Sequence, residues 1–212
     1  MVFLGMVVMA GCSSGQAAGP SPSATPSDAA RLGAGLLSAP DGMSVAYGPE
    51  TGAYGSLKAT RQGMAALKDA KVSEPGCAGA GQLDPAKLGA APAAVVAYSS
   101  KDGSITQAIV ATDFFPGPVP ARCASYKAEV SGAKVTYRTV PLKLPARGER
   151  SFAFLTTAVS DGEAAQIGAV VIGRKGVVTS LLVIGAKVKK EGLAELARLA
   201  DEKLARITRQ PS

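Results

Sequence analysis

The sequence predicts an α+β domain: a twisted antiparallel β-sheet of about five to seven strands packed against helices. Three observations carry that prediction. Two β-type runs flank an Asp-Gly turn near residue 102, period-two and apolar runs recur between residues 133 and 184, and the chain closes on a helix with one apolar stripe.

Taken in order, Ser27-Asp28 predicts the cap of a short helix whose Leu32, Leu36 and Leu37 share a face. Gly42 to Gly55 is turn-rich, with short strands expected around Met43 to Tyr47. Lys68 to Gly76 is polar and breaks at Glu74-Pro75-Gly76, whereas Asp84-Pro85 reads as the cap and first residue of a helical turn.

Ala93 to Ser99 and Ser104 to Thr112 form a hairpin across Lys101-Asp102-Gly103. Phe114-Phe115-Pro116-Gly117-Pro118 interrupts the strand pattern, and Ala121 to Val130 predicts a helix carrying Cys123. After the loop at Ser131-Gly132, Ala133 to Val140 alternates apolar and polar side chains, as a strand with one wet face does. Ser151 to Val159 is a further strand. Ile167 to Ile172 and Val177 to Ile184 flank the turn Gly173 to Gly176, and the unbroken apolar character of the latter run predicts a central strand. These four are expected to form an antiparallel meander. From about Lys189 to Arg206 a helix aligns Leu193, Leu196, Ala197, Ala200, Leu204 and Ile207 on the face that covers the sheet.

Residues 28–210 therefore make one domain, and what precedes them has a different character. Val2 to Ala10 is an apolar run ending in Met9-Ala10-Gly11-Cys12, which resembles a lipobox. Such a run is too short to cross a bilayer, which takes about 20 residues, but suits a signal-peptide core. Residues 1–11 are thus expected to be a lipoprotein signal, with Cys12 acylated as the first mature residue. Residues 12–27, rich in Ser, Pro, Gly and Ala, read as a flexible tether. No Lys or Arg precedes the apolar run.

With 47% hydrophobic and 18% charged residues, the chain has the composition of a globular protein. Its net charge of +7 is spread among acidic residues, and no basic run interleaves with aromatics, so nucleic acid is not an expected partner. Lys187, Lys189, Lys190, Arg198, Lys203, Arg206 and Arg209 come closest to a patch, but Glu191, Glu195, Asp201 and Glu202 lie among them, and the segment reads as a solvated face.

The chain has no His, Trp or Asn, which excludes a Ser-His-Asp triad, a Cys-His dyad and any His-ligated metal site. Ser131-Gly132-Ala133-Lys134 matches Ser-x-x-Lys, yet it straddles a turn and a strand start and lacks the companion motifs of that chemistry. No carboxylate pair, phosphate-binding glycine loop or metal cluster stands out, so no catalytic residue, cofactor or metal is assigned. Cys77 and Cys123, the pair left beside Cys12, are expected to form a disulfide stapling helix to helix. A reactive or metal-binding thiol would need a His partner or CxxC spacing, and neither is present. Tyr98, Phe114, Phe115, Tyr126, Tyr137, Phe152 and Phe154 are the aromatic candidates for core or pocket wall, with Tyr98, Tyr126, Tyr137 and Arg138 the candidates for polar contacts at a rim.

Glu74-Pro75-Gly76-Cys77-Ala78-Gly79-Ala80, the strand Ala94 to Tyr98, Cys123, Arg174-Lys175-Gly176-Val177-Val178 and the closing helix through Ile207 together resemble the PknH-like extracellular sensor domain of actinobacteria, over residues 30 to 208. The resemblance implies a domain carried outside receptor serine/threonine kinases or as a free-standing lipoprotein. It also implies a twisted antiparallel sheet with packed helices, disulfides and a ligand cleft, and no catalytic residues. The family's second disulfide and its Trp shortly before the later Cys have no counterpart here. The functional expectation is a non-enzymatic, membrane-anchored extracytoplasmic lipoprotein that binds or senses a small molecule, lipid or cell-envelope fragment. A structural or protein-interaction role in the envelope is the alternative.

Overall fold

The computed structural model describes residues 26–130 and 132–209. The signal, Cys12 and most of the tether lie outside the described residues. Helices are α1 (Pro26–Gly33), α2 (Lys58–Asp69), α3 (Pro85–Leu88) and α4 (Lys190–Ile207). Strands are β1 (Ser44–Ala53), β2 (Lys71–Val72), β3 (Pro92–Ser100), β4 (Gly103–Ala111), β5 (Ser125–Val130), β6 (Ala133–Leu142), β7 (Arg150–Ser160), β8 (Glu163–Arg174) and β9 (Val177–Gly185).

Among the described residues, these nine strands form one antiparallel sheet in the order β1-β3-β4-β9-β8-β7-β6-β5-β2. The sheet is larger than the expected five to seven strands. Three regions depart from the expectation, and two of them, Lys71–Val72 and Ser125–Val130, supply the additional strands. Residues 44–53 run as a single ten-residue edge strand, with register shifts between Val45 and Tyr47 and between Tyr47 and Glu50, where short strands were expected. Lys71 and Val72 add a two-residue strand at the opposite edge, paired with Glu129 and Ala128.

The third region corrects the helix expected at Ala121 to Val130. Only Ala121–Cys123 turns, as one 3-10 turn, and Ser125–Val130 is a strand. The local residues tolerate a helix, but β6 offers a full partner: six consecutive residues pair from Ser125↔Arg138 to Val130↔Ala133. Sheet pairing therefore overrides intrinsic preference.

The hairpin at Asp102-Gly103 is present, as is the meander β6-β7-β8-β9. β9 lies between β4 and β8, and Val177 to Leu181 are buried, as a central strand requires. Alternation along the strands gives the sheet two apolar faces. On one, α1 and α4 pack: Leu32, Leu193, Ala197, Ala200, Leu204 and Ile207 bury against Val96, Ile109, Val170, Ile172 and Leu181. α1 ends at Gly33, so Leu36 and Leu37 reach this core from the turn behind it. Arg31 Nη1 donates to the Ile207 carbonyl at 3.0 Å and closes α1 onto the end of α4.

The second face carries Val95, Ala108, Val110, Val171 and Val178, covered by Tyr54, Leu57, Leu83 and Leu88 from the α2 and α3 region. Asp84 caps α3 by accepting from the Ala86 N–H at 2.9 Å, with Pro85 at the first helical position. α2 was not foreseen. Leu57 stands at its N-cap with no side-chain hydrogen bond, so it carries no sequence signal for its start.

Candidate functional site

On the second face, the covering elements do not lie flat on the sheet but leave a cleft of about 550 Å³. Its floor is Val95, Thr106, Ala108, Ser180 and Leu182 from β3, β4 and β9. One wall is α2, through Thr60, Met64 and Leu67; the facing walls are the loop Gly76–Lys87 and the segment Phe114–Pro120. The volume lies within the range of about 300–1,000 Å³ for small-molecule sites.

The Cys77–Cys123 disulfide, buried and with a sequence separation of 46, holds the first loop to the turn that follows the second segment. It joins a loop to a 3-10 turn, not helix to helix as expected, because the segment around Cys123 is not helical beyond that turn. The loop is further braced by turns at Cys77–Ala80 and Gly79–Gln82.

The cleft's chemistry is apolar with a few polar groups, the usual composition of a binding site. Lys87 Nζ sits 5.0 Å from the centroid of Phe114 in a cation–π contact at the rim. Tyr54 lies at the base, its hydroxyl pushed up to about 12, first by burial and then by the Asp84 carboxylate, so the phenol is neutral at physiological pH. Nothing here forms a nucleophile–base pair. Among the described residues, no group of three or more His, Cys, Asp or Glu side chains is placed to hold a metal ion.

The polar residues expected at a rim lie elsewhere. Tyr98 is buried on the α1/α4 face, where its hydroxyl donates to the Leu37 carbonyl at 2.6 Å. Tyr126 and Tyr137 stack at 4.9 Å on β5 and β6, outside the cleft lining, and Arg138 beside them is exposed. Of the seven aromatic candidates only Phe114 lines the cleft; Phe115 meets Phe152 edge-on, and Phe152 stacks with Phe154. Tyr54, Met64 and Thr60 were missed because they belong to segments whose structure was not legible.

Ser131 lies outside the described residues, and Lys134 is exposed on β6. Three of the four acidic residues of the last helix are spent on ion pairs: Arg198 binds Glu195 and Glu202, and Arg174 binds Asp201. Among the described residues no helix is long and apolar enough to cross a membrane.

No family model matches the sequence, and neither does any curated protein. In structure the chain is similar to the extracellular domain of PknH from Mycobacterium tuberculosis, with a TM-score of 0.56 and 15% identity over 86% of this chain and 97% of that one. At that identity the likeness is one of fold, and it is to a domain whose setting is extracellular: this chain shares the fold of the PknH extracellular domain.

Proposed function

We propose that this chain is an extracytoplasmic lipoprotein, held at the outer face of the membrane through acylated Cys12, whose domain binds or senses a ligand without transforming it. The observation that carries the reading is the cleft: an apolar floor of sheet residues under walls cross-linked by the Cys77–Cys123 disulfide. A disulfide suits an oxidising compartment. The fold likeness to the extracellular domain of PknH points the same way. A small envelope molecule, lipid or glycan fragment is the ligand class that fits. Binding needs only shape and a few polar contacts, whereas the commonest general base at neutral pH is missing from a chain with no His.

The test pairs two measurements on the purified protein. A panel of envelope lipids and glycans is screened by thermal shift, and ester, amide, glycoside and phosphate substrates are assayed for turnover. A saturable shift that Met64→Trp removes by filling the cleft is expected, without turnover. Turnover that survives repurification and vanishes with one point substitution overturns the reading. For the anchor, Cys12→Ala is expected to release the protein from the membrane fraction; unchanged attachment refutes acylation there.

A further inference from the structure

A groove of about 590 Å³ runs beside α4, on the face of the sheet that α1 and α4 cover. One bank is the helix, through Leu193, Leu196, Leu199, Lys203 and Arg206, spaced three or four residues apart and so on one side. The other bank is the turn Leu37–Pro40, and β4 and β9 contribute Ile105 and Val183. Leu196 is half-buried and Leu199 exposed, so apolar side chains reach the opening.

The charge of this groove is lopsided. Lys187, Lys189, Lys203 and Arg206 belong to the lining, against two carboxylates, Glu195 and Glu202. Both carboxylates are gripped by Arg198, and Asp201 is taken by Arg174 at 2.9 Å. Lys203 Nζ donates to the Leu36 carbonyl, while Lys187, Lys189 and Arg206 are exposed and enter no ion pair among the described residues. Lys190 and Glu191 offset each other at exposed positions outside the lining. In the sequence the acids of α4 dilute its bases and the segment reads as a solvated face. In the fold three of those acids are occupied, which leaves a cationic rim on an apolar groove.

The chain enters the domain at one end of this groove. α1 begins at Pro26, fewer than two helical turns before Arg31, whose Nη1 donates to the carbonyl of Ile207, the residue after Arg206. Thirteen residues lie between Cys12 and Pro26, and that length spans at most about 45 Å. An acyl anchor at Cys12 therefore holds this end of the groove within that distance of a bilayer.

We propose that the groove is the surface with which the domain rests on an anionic phospholipid bilayer. Lys187, Lys189, Lys203 and Arg206 meet lipid phosphates, and Leu196 and Leu199 enter the boundary between headgroups and acyl chains. The proposal rests on the anchoring at Cys12 for its nearness to the membrane, and on the groove's own charge for the contact.

The test keeps the two apart. The full chain with Cys12→Ala, which cannot be acylated there, is partitioned onto phosphatidylcholine vesicles with and without phosphatidylglycerol at low ionic strength. The readout is the preference for anionic vesicles, to which the apolar run Val2 to Ala10, without a charged side chain, adds nothing. Each cation at such a surface contributes about fivefold, so a preference on the order of a hundredfold is expected, and it is lost as salt screens it. Lys187→Gln with Lys189→Gln is expected to lower the preference by about tenfold or more. The same change of charge at Lys134 and Arg138, exposed on β6, is expected to leave it within about twofold. Methyl NMR with spin-labelled headgroups is expected to broaden Leu199 and spare Leu67 of the cleft. No anionic preference, an equal loss in the β6 variant, or an unbroadened Leu199 would each overturn the proposal, as would a dimer that shields Leu199 without vesicles. None of these outcomes bears on acylation, which release of the Cys12→Ala protein from the membrane fraction of cells decides.

Discussion

Gln107 ties the α1 region to the centre of the sheet through Leu37: its Oε1 accepts from the Leu37 N–H at 2.7 Å, with Gln107 1% exposed. The amide's other end donates to Thr179 Oγ1 at 3.2 Å, and that hydroxyl donates on to the Ala108 carbonyl. A buried amide is tolerated on β4 because its polar atoms are paired within this chain of contacts. Gln107→Leu keeps the approximate volume but strands the Leu37 N–H in the core. It is expected to cost about 1–3 kcal/mol in urea unfolding. No loss of stability would show that the network contributes nothing net.

Reducing the Cys77–Cys123 bond frees a loop with a sequence separation of 46. On the chain-entropy account the oxidised form is more stable by about 4 kcal/mol. Because the loop behind Cys77 lines the cleft, Cys77→Ser with Cys123→Ser is also expected to weaken any ligand-induced thermal shift. Denaturation with and without reductant checks the first statement, and the ligand screen repeated on the double variant checks the second.

Tyr54 makes stability fall in alkali. Its hydroxyl is raised to about 12 from 10.0 by burial and by Asp84, so the unfolded chain releases this proton first as pH rises. The stabilisation is therefore fully present below pH 10 and is lost as pH climbs towards 12, by an amount on the order of 2 kcal/mol. Tyr98 and Tyr126 are pushed the same way by burial, so Tyr54→Phe is expected to shrink the alkaline loss without abolishing it. Equal alkaline slopes for the two proteins would remove Tyr54 from the account.

Gly148 lets the Lys143–Glu149 segment close on β8. Its φ is +59°, and a Cβ there would lie 2.5 Å from the Gly173 carbonyl oxygen and 2.8 Å from Ile172 Cγ2. Gly148→Ala combines left-handed backbone strain, on the order of 1–3 kcal/mol, with a clash against backbone that cannot turn aside. The expected result is a clear drop in melting temperature and faster amide exchange at Glu149, whose N–H bonds the same carbonyl. A variant as stable as the parent, with Glu149 equally protected, would contradict this geometry.

Local chemistry made much of the fold legible. Asp102-Gly103 specifies a turn within a few residues, the alternation from Ala133 to Val140 specifies a strand with one wet face, and the stripe from Leu193 to Ile207 specifies a helix with one buried side. Each signal is complete within its own segment, so each could be read without knowing the neighbours. Cys77 and Cys123 were likewise readable as a pair, since two cysteines remain once Cys12 is set aside.

Tertiary structure decided the rest, because the deciding interactions join distant parts of the chain. Ser125–Val130 is a strand because β6 pairs with it, and Lys71–Val72 joins the sheet because β5 has a free edge for it. Tyr98 belongs to the core, not to a rim, because Leu37 brings it a carbonyl across 61 positions. The cleft draws on β3, β4, β9, α2 and two loops, none of which carries a binding signal alone. Lys203 and Arg206 share a groove with Pro40 because α4 packs against the turn after α1, with Lys203 reaching the Leu36 carbonyl across 167 positions.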